Sequence, residues 1–148
     1  MSDAPNFPKL ADFLCFAVYS TNLAYGKAYK PILDALGLTY TQWIALVALR
    51  EADNQTVGSL GEKLFLESNT LTPILKKLEA MGYVRRQRSP ADERQVIVSL
   101  TDEGRKLHEK SRAKTLVAAT GLPPDEFTKL QKAVAGLRDA LIKHTQED

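Results

Sequence analysis

Cysteine is almost missing from this chain: Cys15 stands alone among 148 residues. One thiol closes no internal disulfide, which excludes a disulfide-stapled scaffold and fits a reducing, cytoplasmic compartment. Histidine is as scarce, with only His108 and His144. Two distant imidazoles and one thiol offer no metal-ligand spacing, so neither metal nor other cofactor is expected. No apolar run approaches the ~20 residues of a membrane span, so no membrane partner is expected. The start, Met1-Ser2-Asp3-Ala4-Pro5-Asn6, lacks the basic segment and apolar stretch of a signal peptide. Repeats and low-complexity tracts are lacking too. So is strong charge: the net charge is +2 and the pI about 8.6, so affinity for nucleic acid has to come from a local patch. What remains is 44% hydrophobic and 26% charged, an ordinary globular composition in a chain long enough for one domain with its own core.

The local patch lies between Thr56 and Thr101. Val57, Leu60, Gly61, Leu64 and Phe65 recur at helical spacing, the stripe of a short amphipathic helix. After a break at Leu66-Glu67, a second helix carries Leu71, Ile74, Leu75 and Leu78 on one face. Asn69, Thr72, Pro73 and Lys76 lie on the other, with Lys77 at the border. Small, hydrogen-bonding and cationic side chains on an outward face are what a major groove accepts. Gly82 supplies the left-handed residue that ends such a helix. Val96, Val98 and Leu100 alternate inward with Ile97 and Ser99 outward, a strand pattern. Ser89-Pro90-Ala91-Asp92 is turn chemistry, so Tyr83–Arg88 and Gln95–Leu100 should pair as a hairpin with Arg94 near its tip. A helix-turn-helix with this appendage is a winged helix. Six cations (Lys76, Lys77, Arg85, Arg86, Arg88, Arg94) face three acids (Glu79, Asp92, Glu93), a surplus greater than that of the whole chain. Such an excess favours phosphate binding over a hairpin that merely braces the fold.

The flanks read as helices. The first runs from about Pro8 to Lys30 or slightly beyond, where Pro31 should end or kink it. Ile32–Leu36 is a short segment that exits at Gly37. Thr39-Tyr40-Thr41-Gln42 is a capping-box pattern opening a helix to about Glu51. Ala52–Gln55 reads as a loop. Thr101 is the N-cap of a helix to about Thr120, with Asp102 and Glu103 in its first turn. Gly121-Leu122-Pro123-Pro124 breaks the chain before a last helix. There Phe127, Leu130, Val134, Leu137 and Leu141 form a heptad-like seam that fits the chain's own first helix or a second subunit. Terminal helical arms around a small winged core leave much apolar surface, which favours a homodimer.

Leu71-Thr72-Pro73-Ile74-Leu75-Lys76-Lys77-Leu78-Glu79, Gly82, Asp92-Glu93-Arg94 and Val98-Ser99-Leu100-Thr101 with Gly104 resemble the MarR family of winged-helix repressors. Leu14-Cys15-Phe16, with Tyr19, Tyr29, Pro31, Leu36-Gly37-Leu38-Thr39-Tyr40 and Gln42, is similar to its organic-hydroperoxide-sensing (OhrR-type) branch. The resemblance covers roughly Leu10 to Leu107. It implies a mainly α (α+β) fold with the winged helix-turn-helix at about 39–101, between dimerisation helices at about 8–36 and 102–146. It implies an obligate homodimer on an inverted-repeat, double-stranded DNA operator. The helix from about Ser68 to Met81 would enter the major groove, with Ser68, Thr70, Thr72 and Lys76 leading the contacts. Asn69, Pro73, Lys77, Arg86 and Arg88 complete the candidate set. Arg94 would enter the minor groove, oriented by Asp92. Cys15 would sense peroxide, hydrogen-bonded to Tyr29 and Tyr40 of the other subunit, with Tyr19 a further candidate partner. Two departures stand out: Glu67-Ser68-Asn69 replaces a more usual Asp-Ser-Gly, and Thr41-Gln42-Trp43 a common Pro-Gln-Tyr. The absence of a second cysteine excludes a two-cysteine mechanism.

Residue chemistry alone leaves Cys15 open, because free cysteines often simply fill cores and burial disfavours the thiolate that sensing needs. In the sensing reading, organic hydroperoxide converts the thiolate to sulfenic acid, which condenses with a low-molecular-weight thiol. The competing reading is a MarR-type repressor gated by a small aromatic or phenolic ligand, with Trp43, Phe16 and the tyrosines lining a pocket. A thiol peroxidase is disfavoured, since Cys15 has no evident base partner and neither histidine is near it in sequence. A constitutive architectural DNA binder would differ from both repressors in lacking operator preference.

Overall fold

The computed structural model describes residues 5–111 and 116–147. These fall into two compact units, one on either side of residue 114. In the first, a 3-10 turn at Leu10–Asp12 precedes α1 (Leu14–Leu36), α2 (Tyr40–Glu51), β1 (Gln55–Thr56), α3 (Val57–Leu64) and α4 (Ser68–Ala80). A hairpin of β2 (Val84–Arg88) and β3 (Val96–Leu100) follows, then α5 (Asp102–Ser111). The sheet is antiparallel in the order β1-β3-β2, with Arg88 opposite Val96 and Val84 opposite Leu100.

The core lies where the apolar stripes of the short helices meet one face of the hairpin. Leu46, Leu49, Leu60, Leu71, Leu75 and Leu78 are fully buried against Val84 and Val98, with Leu33 and Leu38 at the margin. Each fully buried leucine stabilises the fold by about 2 kcal/mol, so this cluster holds α4 firmly by one face and leaves the other to solvent. Three helices end in the same way, with a 6→1 and a 5→2 backbone hydrogen bond around a left-handed residue. At α1 these bonds are Leu38 to Leu33 and Gly37 to Asp34, and at α4 Tyr83 to Leu78 and Gly82 to Glu79. The third, closing α3, has Phe65 at that position, with φ of 58°.

Several expectations change. The first helix starts at Leu14 rather than near Pro8, because Phe13 is extended and only a 3-10 turn precedes it. It also continues past Pro31 to Leu36 rather than ending there. The lost backbone donor is outweighed by anchors on both sides: Tyr29 and Leu33 pack on the core, and Lys30 pairs with Asp34 across the proline at 3.0 Å. Phe65 is not part of the buried stripe of α3; its αL backbone turns the ring outward, 57% exposed. Ala52–Gln55 is not only loop, since Gln55 and Thr56 pair with Val98 and Ile97. The helix expected to reach about Thr120 is described only to Ser111; residues 112–115 lie outside the described ones, and Ala118–Thr120 is a 3-10 turn.

The second unit consists of that turn, closed by Gly121, and α6 (Pro124–Gln146). Proline fits the first helical position because its missing N–H needs no partner there, and Asp125 and Glu126 suit the positive end of the helix dipole. No residue of α6 is buried, and Leu130, Val134 and Leu141 of the seam stand exposed. No single helix among the described residues is long and apolar enough to cross a membrane.

Candidate functional site

The outward face of α4 carries the side chains that the sequence pattern selects. Ser68, Asn69, Thr70, Pro73, Lys76 and Lys77 are exposed and Thr72 is half-buried. The Thr72 hydroxyl donates to the Ser68 carbonyl at 2.7 Å, which leaves its lone pairs for an outside donor. Glu67 enters the helix with extended backbone and no side-chain cap bond. The amides of the first turn therefore keep the positive potential of a helix N-terminus.

Beside this helix stands the hairpin, and its tip is ordered by its own backbone. Ser89 is buried; its hydroxyl accepts from the amides of Ala91 and Asp92, and its N–H donates to the Gln95 carbonyl at 2.8 Å. Arg94 is 90% exposed at the side chain, yet its direction is set. Asp92 Oδ1 accepts from the Arg94 backbone and Nε at 3.1 Å each, and Oδ2 from its Nη2 at 3.3 Å. The Arg94 guanidinium, followed by the Arg94 amide, holds the Asp92 carboxyl below the usual carboxylate range. Arg88 donates to the Glu93 carbonyl and stays exposed. Arg86 differs from the other candidates: its amide donates to Glu79 at 2.8 Å and its guanidinium pairs with the same carboxylate at 3.3 Å. That ion pair ties β2 to α4, so Arg86 works first as a brace. Thr56, Ser68, Thr72, Arg86, Arg94 and Gln95 line a groove of about 400 Å³ where α3, α4 and the hairpin converge.

Two further devices hold hairpin and helix together. Thr101 Oγ1 donates to the Gly82 carbonyl at 2.6 Å and accepts from Gly104 N. A β-carbon on Gly104 would stand 2.2 Å from the Tyr83 carbonyl oxygen, so only glycine fits. Asp53 accepts from the Leu100 amide at 2.9 Å and pairs with Arg105. The bracing roles of Ser89, Glu79 and Asp53 are not legible in the sequence, because their partners lie across turns or 47 and more residues away; only the turn propensity of Ser89-Pro90 points to one.

Cys15 sits in the first turn of α1 and is exposed. With Leu10, Phe13, Phe16 and Tyr19 it lines a shallow apolar hollow. Tyr29 and Tyr40 meet elsewhere, their rings 5.7 Å apart, each also packed on Trp43 at 5.3 and 5.9 Å. Tyr25 stacks on Tyr29 at 6.3 Å. Burial, then the neighbouring Tyr29 and Tyr25, push the Tyr40 phenol above its ordinary value, so it stays a proton donor at neutral pH. The indole N–H of Trp43 donates to the buried Ser111 hydroxyl at 3.1 Å, linking this cluster to α5. Within one chain the thiol and the tyrosine pair do not meet: fourteen helical steps from Cys15 to Tyr29 span about 21 Å.

Comparison with known proteins bears on this architecture. The family described as Transcriptional regulator SarA/Rot matches residues 27–111. The chain is 46% identical over 130 residues to the HTH-type transcriptional regulator TtmR of Methylorubrum extorquens (strain PA1), covering 86% of this chain and 67% of that protein. It is 48% identical over 103 residues to the organic hydroperoxide resistance transcriptional regulator of Bacillus subtilis (strain 168), covering 70% of each. Among solved structures, reduced AbfR bound to DNA, a protein of Staphylococcus epidermidis, superposes with a TM-score of 0.72 at 38% identity, covering 90% of this chain and 94% of that one.

Proposed function

The chain belongs to the SarA/Rot group of MarR-like winged-helix transcriptional regulators, in the one-cysteine branch with the organic-hydroperoxide regulators, and from that premise we propose a homodimeric repressor released from its operator by oxidation of Cys15. It is a DNA-binding protein and not an enzyme. Its place of work, in this reading, is the cytoplasm. α4 lies in the major groove, the first-turn amides and Lys76 and Lys77 meet phosphate, and Arg94 reaches the minor groove from the wing tip, held by Asp92.

The observation that carries the redox reading is the position of Cys15 on an arm whose apolar surface has no cover. Leu14, Val18 and Tyr25 form one exposed face of α1, and Phe16, Tyr19 and Leu23 another. A helix apolar on opposite faces needs partners on both. At about 100° per residue, Cys15, Asn22, Gly26 and Tyr29 fall within roughly 60° of each other between those faces. Asn22 lies midway between positions 15 and 29. Two copies of α1 crossing antiparallel at Asn22 therefore bring Cys15 of each to Tyr29 of the other, and Tyr40 follows through its ring contact with Tyr29.

The chemistry then needs no further residue. The Cys15 thiolate attacks the terminal oxygen of ROOH; the S–O bond forms as the O–O bond breaks, sulfur giving up two electrons and the peroxide accepting them. The alkoxide leaves as ROH, taking a proton from a tyrosine hydroxyl that water then reprotonates. The sulfenic acid condenses with a small thiol, releasing water and leaving a mixed disulfide. Added bulk beside the crossing point strains the α1 pair and alters the spacing of the two α4 helices.

Operator binding by reduced and hydroperoxide-treated protein, read with intact mass, tests the proposal. Cys15→Ser should bind like wild type and ignore peroxide, while wild type should gain the mass of the small thiol and let go of DNA. Release of the serine variant by peroxide would place the sensor elsewhere. Release by a phenolic ligand with no mass change would favour ligand gating instead.

A further inference from the structure

The hairpin carries two acid–arginine pairs that differ in what they leave to solvent. Asp92 orients Arg94 while 90% of that arginine side chain stays exposed. Glu79 instead draws Arg86 back onto α4, where the arginine is 22% and the acid 38% exposed. Among Arg85, Arg86, Arg88 and Arg94, only Arg86 is not exposed. The two Glu79 oxygens divide their partners. Oε2 accepts from the Arg86 amide at 2.8 Å, and Oε1 accepts from Nη2 at 3.3 Å and Nε at 3.4 Å. Since β2 lies at the edge of the sheet, Oε2 serves this N–H as a neighbouring strand would. Oε1 engages only the charge, and a partly exposed ion pair adds little to folding. Arg86 nevertheless lines the groove of about 400 Å³ that Ser68, Thr72, Arg94 and Gln95 share. A guanidinium with that room beside a DNA-facing surface is a phosphate contact unless something holds it back.

We propose that Glu79 withholds the Arg86 guanidinium from the DNA backbone, and so limits how tightly the protein holds DNA of any sequence. The inference rests on the placing of α4 and the wing on DNA given above, and not on the redox reading. Phosphate contacts carry no sequence information. A further free arginine in the groove would add hold on bulk DNA as much as on an operator. Glu79 is thus a positioning residue: it touches no DNA and acts through Arg86. Its pairing leaves recognition to α4 and Arg94, and it lowers the residual affinity that a released repressor has to overcome.

The test is DNA binding by the full chain across a range of salt concentrations. Two duplexes serve as probes: one of random sequence, and the tightest binder that the wild type selects from a random pool. Glu79→Gln keeps a carbonyl for the Arg86 amide and loses the charge. On both duplexes the slope of log affinity against log salt should steepen by about one per bound chain, and affinity at about 0.1 M salt should rise about eightfold per chain. Glu79→Ala, which loses the strand bond too, should steepen the slope by the same amount. Adding Arg86→Gln to Glu79→Gln should return the slope to that of wild type. An unchanged slope in both Glu79 variants would mean that Arg86 does not reach phosphate. A steeper slope that persists with Arg86→Gln would mean that Glu79 itself repels DNA. Either result overturns the inference, while salt-dependent binding by wild type upholds the placing of α4 and the wing. Wild type with no affinity for either duplex would overturn both.

Discussion

Phe65 holds a backbone conformation that glycine holds at the ends of α1 and α4, and it does so with an exposed ring. A non-glycine residue there costs about 1 kcal/mol through contact of its β-carbon with the backbone. Phe65→Gly should thus raise stability by roughly that amount, moving the denaturation midpoint up with the slope unchanged; a lower midpoint would show that the ring contributes more packing than its exposure indicates. Tyr40 offers a second residue-scale check. Its pKa is raised, so the phenol form is favoured in the folded state, and the stability it contributes is full below the unfolded tyrosine value near 10 and fades as pH climbs through the folded one. Ultraviolet titration should show one tyrosine ionising later than an ordinary phenol, and Tyr40→Phe should remove that late phase. Sequence reading identified Tyr40 as a candidate but not Tyr25 beside it, because the stacking of Tyr25 on Tyr29 carries no motif of its own. It also treated Arg86 as one more surface cation, since nothing local reveals that Glu79 across the turn takes its charge.

Within the elements, wing and recognition helix divide the work differently, and salt separates them. Arg94→Ala removes a pre-oriented charge from the tip, and operator affinity should fall by roughly 1–3 kcal/mol. If Lys76 meets phosphate as proposed, Lys76→Ala should lower the slope of log affinity against log salt by about one. Unchanged affinity of the Arg94 variant at every salt concentration would mean that the wing stays off the DNA. What made the helix-turn-helix, the capping box and the hairpin legible is short range: each is set by residues within about four positions of one another. β1 was not legible, being two residues long and extended only because β3 lies beside it. The passage of α1 through Pro31 was hidden for a similar reason, as the anchors that outweigh proline are tertiary. For Cys15, sequence left packing and sensing open; the exposed first turn of α1 removes the core-filling alternative for the single chain.

At the scale of the whole molecule, the proposed dimer, with two copies of α1 crossing at Asn22, makes a specific prediction. In a Cys15→Ser background, Asn22→Cys would sit on the two-fold axis of that dimer and should form a covalent dimer on mild oxidation, because only residues near the axis meet their own copies within disulfide range. Lys27→Cys should not. Sedimentation of the wild type at twice the 16.4 kDa chain mass, and footprints on two half-sites about 34 Å apart, should accompany it. Absence of any cross-link with a dimer still present would move the crossing point. Trp43 is the sole tryptophan; its ring touches Tyr29 and Tyr40 and its N–H is bonded to Ser111 of α5, the helix whose Thr101 cap grips the end of α4. Its fluorescence therefore belongs to one place in the molecule, and any event that moves the tyrosines or loosens α5 should change its colour and brightness. The protein carries its own optical probe, able to time the arrival of peroxide, thiol and DNA without a label.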